Sequence, residues 1–191
     1  MLILQNFREM LEDNPVIGAI RCDKDLNLIC KSNAKIVFVL YGNILDIKNI
    51  CNTLNENNKI IFIHLDMLEG LKSDQKAVEF IKESINPYGI ISTKGIILKH
   101  ASQLGMATIQ RIFMLDSLSF ETSIKNIHMF SPDAVEVLPG VANKAISSLQ
   151  KKITQPIIAG GLIKNKKDAI EALSSGAVAV STSSLELWEI K

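Results

Sequence analysis

Apolar and polar positions alternate in blocks along this 191-residue chain. Short runs rich in Val, Ile and Phe fall at Val16–Ile20, Lys35–Leu40, Lys59–Leu65, Tyr88–Ser92, Met106–Ile112, Ala134–Leu138, Pro156–Ala159 and Ala177–Ser181. Each is nearly continuous in hydrophobicity, the pattern of parallel strands covered by helices. The polar stretches between them carry helical periodicity and recognisable ends. Ser73 is placed to cap a helix running through Lys76, Val78, Phe80 and Ile81. Ser117 or Ser119 opens a longer one through Ile124 and Ile127, ending before Ser131-Pro132. Gly105 closes the segment Ile96–Leu104. Asn165, with Asp168 three residues later, opens Ala169–Ser174, which Gly176 stops.

Eight β/α steps predict a compact (β/α)8 TIM-like barrel in which residues 1–191 form a single domain. Such barrels usually take about 250 residues, so several outer helices must be short, and the last, around Leu185–Trp188, is a stub. An open doubly wound sheet is the alternative; the even repeat of the strand runs favours the barrel. Residues 1–13 read as an amphipathic helix packing on the barrel, with no export leader.

Composition narrows the function. Hydrophobic residues at 47% and charged residues at 21% suit a globular protein. No apolar run approaches the roughly 20 residues of a membrane span. Cys22, Cys30 and Cys51 lack metal-ligand or redox spacing, which points to reduced thiols in the cytoplasm. A net charge of +1 argues against a large basic surface for nucleic acid.

In a barrel, chemistry belongs to the loops after the strands. The polar residues there are Arg21, Tyr41, His64, Asp66, Glu69, Thr93, Lys94, Arg111, Glu136, Ser181 and Thr182. The most specific signal is Ile157-Ile158-Ala159-Gly160-Gly161-Leu162-Ile163, followed by Gly176-Ala177-Val178-Ala179-Val180-Ser181-Thr182. Barrels often hold a phosphate between the seventh and eighth loops. Gly160 and Gly161 let backbone N–H groups approach an anion, and Ser181 and Thr182 add hydroxyl donors. The plainer account is that the glycines turn the chain and the serines cap the last helix.

Arg21, Lys94 and Arg111 are placed to neutralise the anion, with Gln110 replacing Arg111 if the strand parity shifts by one. Asp66 and Glu136 suit polyol hydroxyls or acid/base work. His64 reads as a histidine satisfied inside the barrel, and His100 and His128 as surface residues. Lys164, Lys166 and Lys167 form the one basic cluster, a solvated helix start or an RNA contact. No metal site, Walker loop, nucleophile elbow or dinucleotide fingerprint is present.

Asn14-Pro15-Val16-Ile17, Phe38-Val39-Leu40-Tyr41-Gly42, Ile63-His64-Leu65-Asp66-Met67-Leu68-Glu69-Gly70-Leu71 and Thr108-Ile109-Gln110-Arg111-Ile112-Phe113 resemble the glycerol-3-phosphate-responsive antiterminator family. So do Gly89-Ile90-Ile91-Ser92-Thr93-Lys94, Pro132-Asp133-Ala134-Val135-Glu136-Val137-Leu138-Pro139-Gly140, the Gly160-Gly161 segment and Ala177–Ser183. The resemblance runs from Asn14 to Trp188. It implies a cytoplasmic RNA-binding regulator of glycerol metabolism, with glycerol 3-phosphate as effector and no cofactor. Loaded with that ligand, it acts on the leader mRNA of glycerol-utilisation genes so that polymerase passes a terminator. On this reading Gly160, Gly161, Ser181 and Thr182 hold the phosphate. Arg21, Asp66, Lys94, Arg111 and Glu136 read charge and hydroxyls. Lys and Arg on the rim, or a homo-oligomer that doubles a weak patch, meet the RNA. The competing class is an enzyme, an isomerase, lyase or hydrolase, acting on a small phosphorylated metabolite in the same barrel.

Overall fold

The computed structural model describes residues 2–190, with side chains from Phe7 onward. Eight parallel strands pair in chain order and close on themselves. They are β1 (Val16–Ile20), β2 (Ile36–Val39), β3 (Ile60–His64), β4 (Gly89–Ser92), β5 (Ala107–Phe113), β6 (Ala134–Leu138), β7 (Ile157–Gly160) and β8 (Ala179–Thr182). The seam joins β1 to β8, with Val16 opposite Val180 and Gly18 opposite Thr182. The predicted barrel stands. Its strand ends move by one or two residues, which brings Gly160 into β7 and Thr182 into β8.

Helices α1 (Leu2–Asp13), α2 (Asp23–Ile29), α3 (Ile47–Glu56), α4 (Gln75–Ser84) and α5 (Gly95–Gln103) serve the first half. α6 (Ser117–Phe130), α7 (Asn143–Gln150), α8 (Lys166–Ser174) and α9 (Leu185–Trp188) serve the second. No helix among the described residues is long and apolar enough to cross a membrane. Two caps differ from the sequence reading. Asp74, not Ser73, accepts the Ala77 amide at the head of α4. Asp116 caps α6 in a reciprocal box with Ser119, so Ser117 lies inside the helix. Serine and aspartate cap almost equally well, so neighbouring candidates cannot be ranked by type alone. The Asn165–Asp168 box of α8 forms as read.

The four residues of α9 are held by Leu187, buried in the core, and by Trp188. Trp188 is buried, and its indole Nε1 donates to the Thr182 carbonyl at 2.8 Å. Gly18 beneath it is required by Ile29, with which a Cβ there would collide, while the Trp188 indole nitrogen lies at ordinary contact distance.

Inward positions follow the period of two. Ile17, Ile36, Phe38, Phe62, Ile91, Ile109, Ala134, Ile158 and Ala179 fill the barrel, and Phe7 and Leu11 of α1 belong to the same cluster. Phe62 lies at its centre, with ring centroids 5.8 Å from Phe38, 5.7 Å from Phe7 and 5.4 Å from Tyr88. Two residues beyond this apolar filling, the next inward positions on β3, β5, β6 and β8 are His64, Arg111, Glu136 and Ser181. All four are buried.

Truncating Phe62 should empty the middle of that stack. Phe62→Ala is expected to lower stability by about 3–5 kcal/mol. It should show as a reduced urea midpoint with an unchanged slope; an unshifted midpoint would mean that the aromatic stack does not carry the core.

Candidate functional site

The polar layer is organised by one carboxylate. Glu136 and Arg111 are register partners on β6 and β5 and so turn to the same side of the sheet. Arg111 Nε donates to Glu136 Oε2 at 2.6 Å, and Ser181 Oγ donates to Oε1 at 2.6 Å. Both carboxylate oxygens are therefore occupied. The arrangement requires Gly160, where a Cβ would lie 2.5 Å from Glu136 Oε1 and 2.6 Å from Ser181 Oγ. Parity is settled too: Arg111 enters the barrel, and Gln110 turns outward.

Above this layer lies a cavity of about 200 Å³ at the carboxyl ends of the strands. Arg21, Arg111, Glu136, Gly161, Ser181 and Thr182 line it, together with Leu162, Lys164 and Ser183. The β7 loop takes an unusual path, with Gly161 at φ +75° and Leu162 at φ +62°. A leucine in the left-handed region is strained, and such strain gathers at functional loops. The loop is pinned from both sides. The Gly140 amide donates to the carbonyls of Gly160 and Gly161, and Thr182 Oγ1 donates to the Ile163 carbonyl at 2.6 Å. Among the described residues, the amides of Gly161, Leu162 and Ser183 meet no backbone acceptor.

Three of the residues expected at the site do not line the cavity: Gly160, which ends β7 beside the Glu136 carboxylate, and Asp66 and Lys94. The Asp66 carboxylate accepts from Ser73 Oγ at 2.5 Å, from Ser92 Oγ, and from both the amide and hydroxyl of Thr93. It clasps the β3 and β4 loops and does not line the cavity. Burial raises its pKa, but these hydrogen bonds outweigh burial and hold it below the ordinary carboxylate value. Lys94 stands at the head of α5, its Nζ 3.4 Å from the Ser73 carbonyl. Of the basic cluster, only Lys164 reaches the cavity. Lys166 and Lys167 sit on the exposed first turn of α8, with Lys167 Nζ 3.9 Å from Glu171.

His64 differs from its sequence reading. It is 2% exposed, yet its Nδ1 has no hydrogen-bond partner. Burial first, and then the Arg111 cation, push its pKa down to about 4, against an upward pull from Asp66. His100 is not a free surface residue either, since its Nε2 lies 3.3 Å from Glu79. The place of Leu162 at the cavity was hidden because a backbone amide carries no side-chain signature, whereas Ser183 was within reach as a third hydroxyl after Ser181 and Thr182. Lys164 was legible as a base just past β7. Among the described residues, no group of three or more His, Cys, Asp or Glu side chains is placed to hold a metal.

A larger cavity, about 720 Å³, opens at the opposite end, where Phe7, Lys59 and Tyr88 meet the strand starts. Barrel chemistry sits at the carboxyl ends, and the other end serves stability. The smaller cavity is therefore the candidate site.

The His64 imidazole makes stability depend on pH. Its folded-state pKa, about 4, lies below the unfolded value of about 6.5. Above pH 6.5 both states are neutral there, and the contribution is complete. As pH falls toward 4, the unfolded chain gains a proton that the folded one refuses, and stability drops by on the order of 3 kcal/mol. Asp66, held below its usual value, adds its own loss only at lower pH. Urea unfolding from pH 7 to 4.5 should show the decline in wild type and a flatter profile in His64→Gln. Identical profiles would remove His64 as its source.

A family model for the glycerol-3-phosphate responsive antiterminator matches residues 16–188. The uncharacterized protein YgcP of Escherichia coli (strain K12) is 39% identical over 181 residues, which is 95% of each chain. The crystal structure of the glycerol uptake operon antiterminator regulatory protein from Listeria monocytogenes str. 4b F2365 superposes with a TM-score of 0.89. It is 34% identical over 92% of this chain and 95% of that one. An antiterminator-related protein from Thermotoga maritima MSB8 gives 0.83 at 32% identity, over 93% and 99% of the two chains. Phosphometabolite enzymes also share the barrel, at 14–15% identity, which is a likeness of fold alone. The matched span holds every strand and the loops after β7 and β8, and the chain belongs to the glycerol-3-phosphate responsive antiterminator family.

Proposed function

We propose that this protein binds glycerol 3-phosphate in the 200 Å³ cavity and, so loaded, acts in the cytoplasm on the leader RNA of glycerol-utilisation genes as an antiterminator. The observation that carries the ligand is three cationic side chains, Arg21, Arg111 and Lys164, converging on a small cavity beside the free amides of a strained loop. The amides of Gly161, Leu162 and Ser183 take the phosphate, with Arg21 and Lys164 balancing its charge. Arg111, fixed by Glu136, turns its remaining guanidinium donors to the glycerol hydroxyls. Ser181 and Thr182 shape the wall, their hydroxyl protons already donated to Glu136 and Ile163.

The same geometry favours sensing over turnover. An acid or base needs a free oxygen or nitrogen with a matched pKa. Glu136 has both oxygens engaged, and Asp66 accepts four donors. A His64 imidazole held near 4 is a weak base. The ligand is therefore bound and released unchanged, and it needs no cofactor. It shifts the protein toward the RNA-competent form by its preference for that form.

Titration calorimetry tests the ligand. Glycerol 3-phosphate should bind saturably, while glycerol and inorganic phosphate bind at least about tenfold more weakly, each lacking half of the contacts. Gly161→Asp, which sets a carboxylate at the phosphate loop, should abolish the heat. The left-handed backbone there lowers the melting temperature of the variant somewhat, and a cooperative transition retained well above the assay temperature is the control. Absence of heat from wild type at millimolar ligand would refute the assignment, and conversion of the ligand during incubation would restore the enzyme alternative.

A further inference from the structure

β5 sends consecutive side chains in opposite directions. Arg111 enters the barrel, and Gln110 turns outward under α6. Gln110 is 1% exposed, and its Oε1 is buried without a partner. Among the described residues, no side-chain hydrogen bond engages its amide. An unpaired buried amide is destabilising, and native proteins retain such groups where something else uses them.

The helix above it is built to match. α6 has 14 residues, and only Ser123 and Ile127 are buried. Phe120, Ile124 and Ile127 form its apolar stripe on the core, and the flank beside that stripe is polar. Here Thr122, Ser123 and Asn126 face a cleft of about 450 Å³, with Gln110 and Thr93 on the other wall. Phe113, Leu115 and Leu118 stand at its mouth, 47%, 81% and 76% exposed. The carboxylate at this cleft, Asp116, is occupied in capping α6.

The Thr93, Ser119 and Ser123 hydroxyl protons are already donated to Asp66, Asp116 and Ser119. A largely apolar cleft that carries the Gln110 and Asn126 amides and the Thr122 hydroxyl, with a ring and two aliphatic chains at its lip, suits a flat, uncharged group. Such a group offers donors and acceptors at its edge and apolar faces above and below. That is the chemistry of an unpaired nucleobase: Gln and Asn amides pair with base edges, and aromatic rings stack on base faces. Lys94, one residue beyond Thr93, supplies an exposed cation for a neighbouring phosphate. The location matters as well, since Arg111 lines both this cleft and the ligand cavity.

The geometry points to the β5–α6 cleft as the seat of one unpaired base of the bound RNA, with Arg111 as the wall through which ligand occupancy reaches it. This rests on the antiterminator reading above.

Leader-transcript binding in saturating glycerol 3-phosphate tests it, read by fluorescence anisotropy for wild type, Phe113→Ala, Asn126→Leu and Gln110→Leu. Losing a stacking face or an edge partner should weaken RNA binding by about five- to tenfold or more. Gln110→Leu adds a readout that a merely structural role would not give. It should melt at or above the wild-type temperature, because a buried unpaired amide is gone, and still bind RNA poorly. All three should bind glycerol 3-phosphate within twofold of wild type by calorimetry. A 4-thiouridine-substituted leader should crosslink within residues 110–126. Wild-type-like RNA affinity in the three variants, or crosslinks confined to Lys164–Lys167, would overturn the cleft while leaving antitermination intact. A wild-type protein that binds ligand but no leader RNA would overturn both.

Discussion

A guanidinium inside a barrel must be neutralised where it lies, and the way Arg111 is neutralised sets the form of the rest. Glu136 meets it at 2.6 Å from the adjacent strand, and Ser181 takes the second carboxylate oxygen from across β7. Buried ion pairs are weak evidence of stability, because desolvation offsets most of the attraction. This one acts through geometry. Gly160 lacks a side chain because the carboxylate passes beside it, and Gly140 lacks one because a Cβ there would lie 2.9 Å from the Gly160 nitrogen. The β7 loop is thereby drawn into its left-handed path.

The polar groups of the upper barrel fall into two kinds. Asp66, Glu136 and Thr182 are fully engaged with other parts of the protein and hold loops together. His64 and Gln110 are buried with atoms that nothing engages, and the amides of Gly161, Leu162 and Ser183 meet no backbone acceptor. Sequence position alone places all of them past a strand, and it ranks the carboxylates as readers of a ligand. The structure reverses that ranking. The carboxylates prove architectural, while the cations Arg21, Arg111 and Lys164 line the cavity beside backbone amides that meet no backbone acceptor.

Much of this was legible and some was not, for definable reasons. The strand runs, the Gly160-Gly161 turn and the Ser181-Thr182 loop could be read because apolar periodicity and glycine pairs are local signals. The inward parity of β5 could not, since Ile109-Gln110-Arg111-Ile112 has no clean alternation and either polar residue fits a strand end. The clasp around Asp66 was hidden because its partners stand 7, 26 and 27 residues away. The polar flank of α6, Thr122, Ser123 and Asn126 beside the Phe120–Ile124–Ile127 stripe, was visible in the sequence, but only the fold shows which strand it faces.

The seam between β1 and β8 ties recognition to the completeness of the chain. The cavity takes Arg21 from the loop after β1 and Ser181, Thr182 and Ser183 from the end of β8 and its loop, so its walls come from segments some 160 residues apart. A ribosome must deliver β8 before the loop after β7 has an opposite wall. On the proposed function, a nascent polypeptide, however well its first strands have paired, lacks part of the ligand's seat until β8 closes on β1.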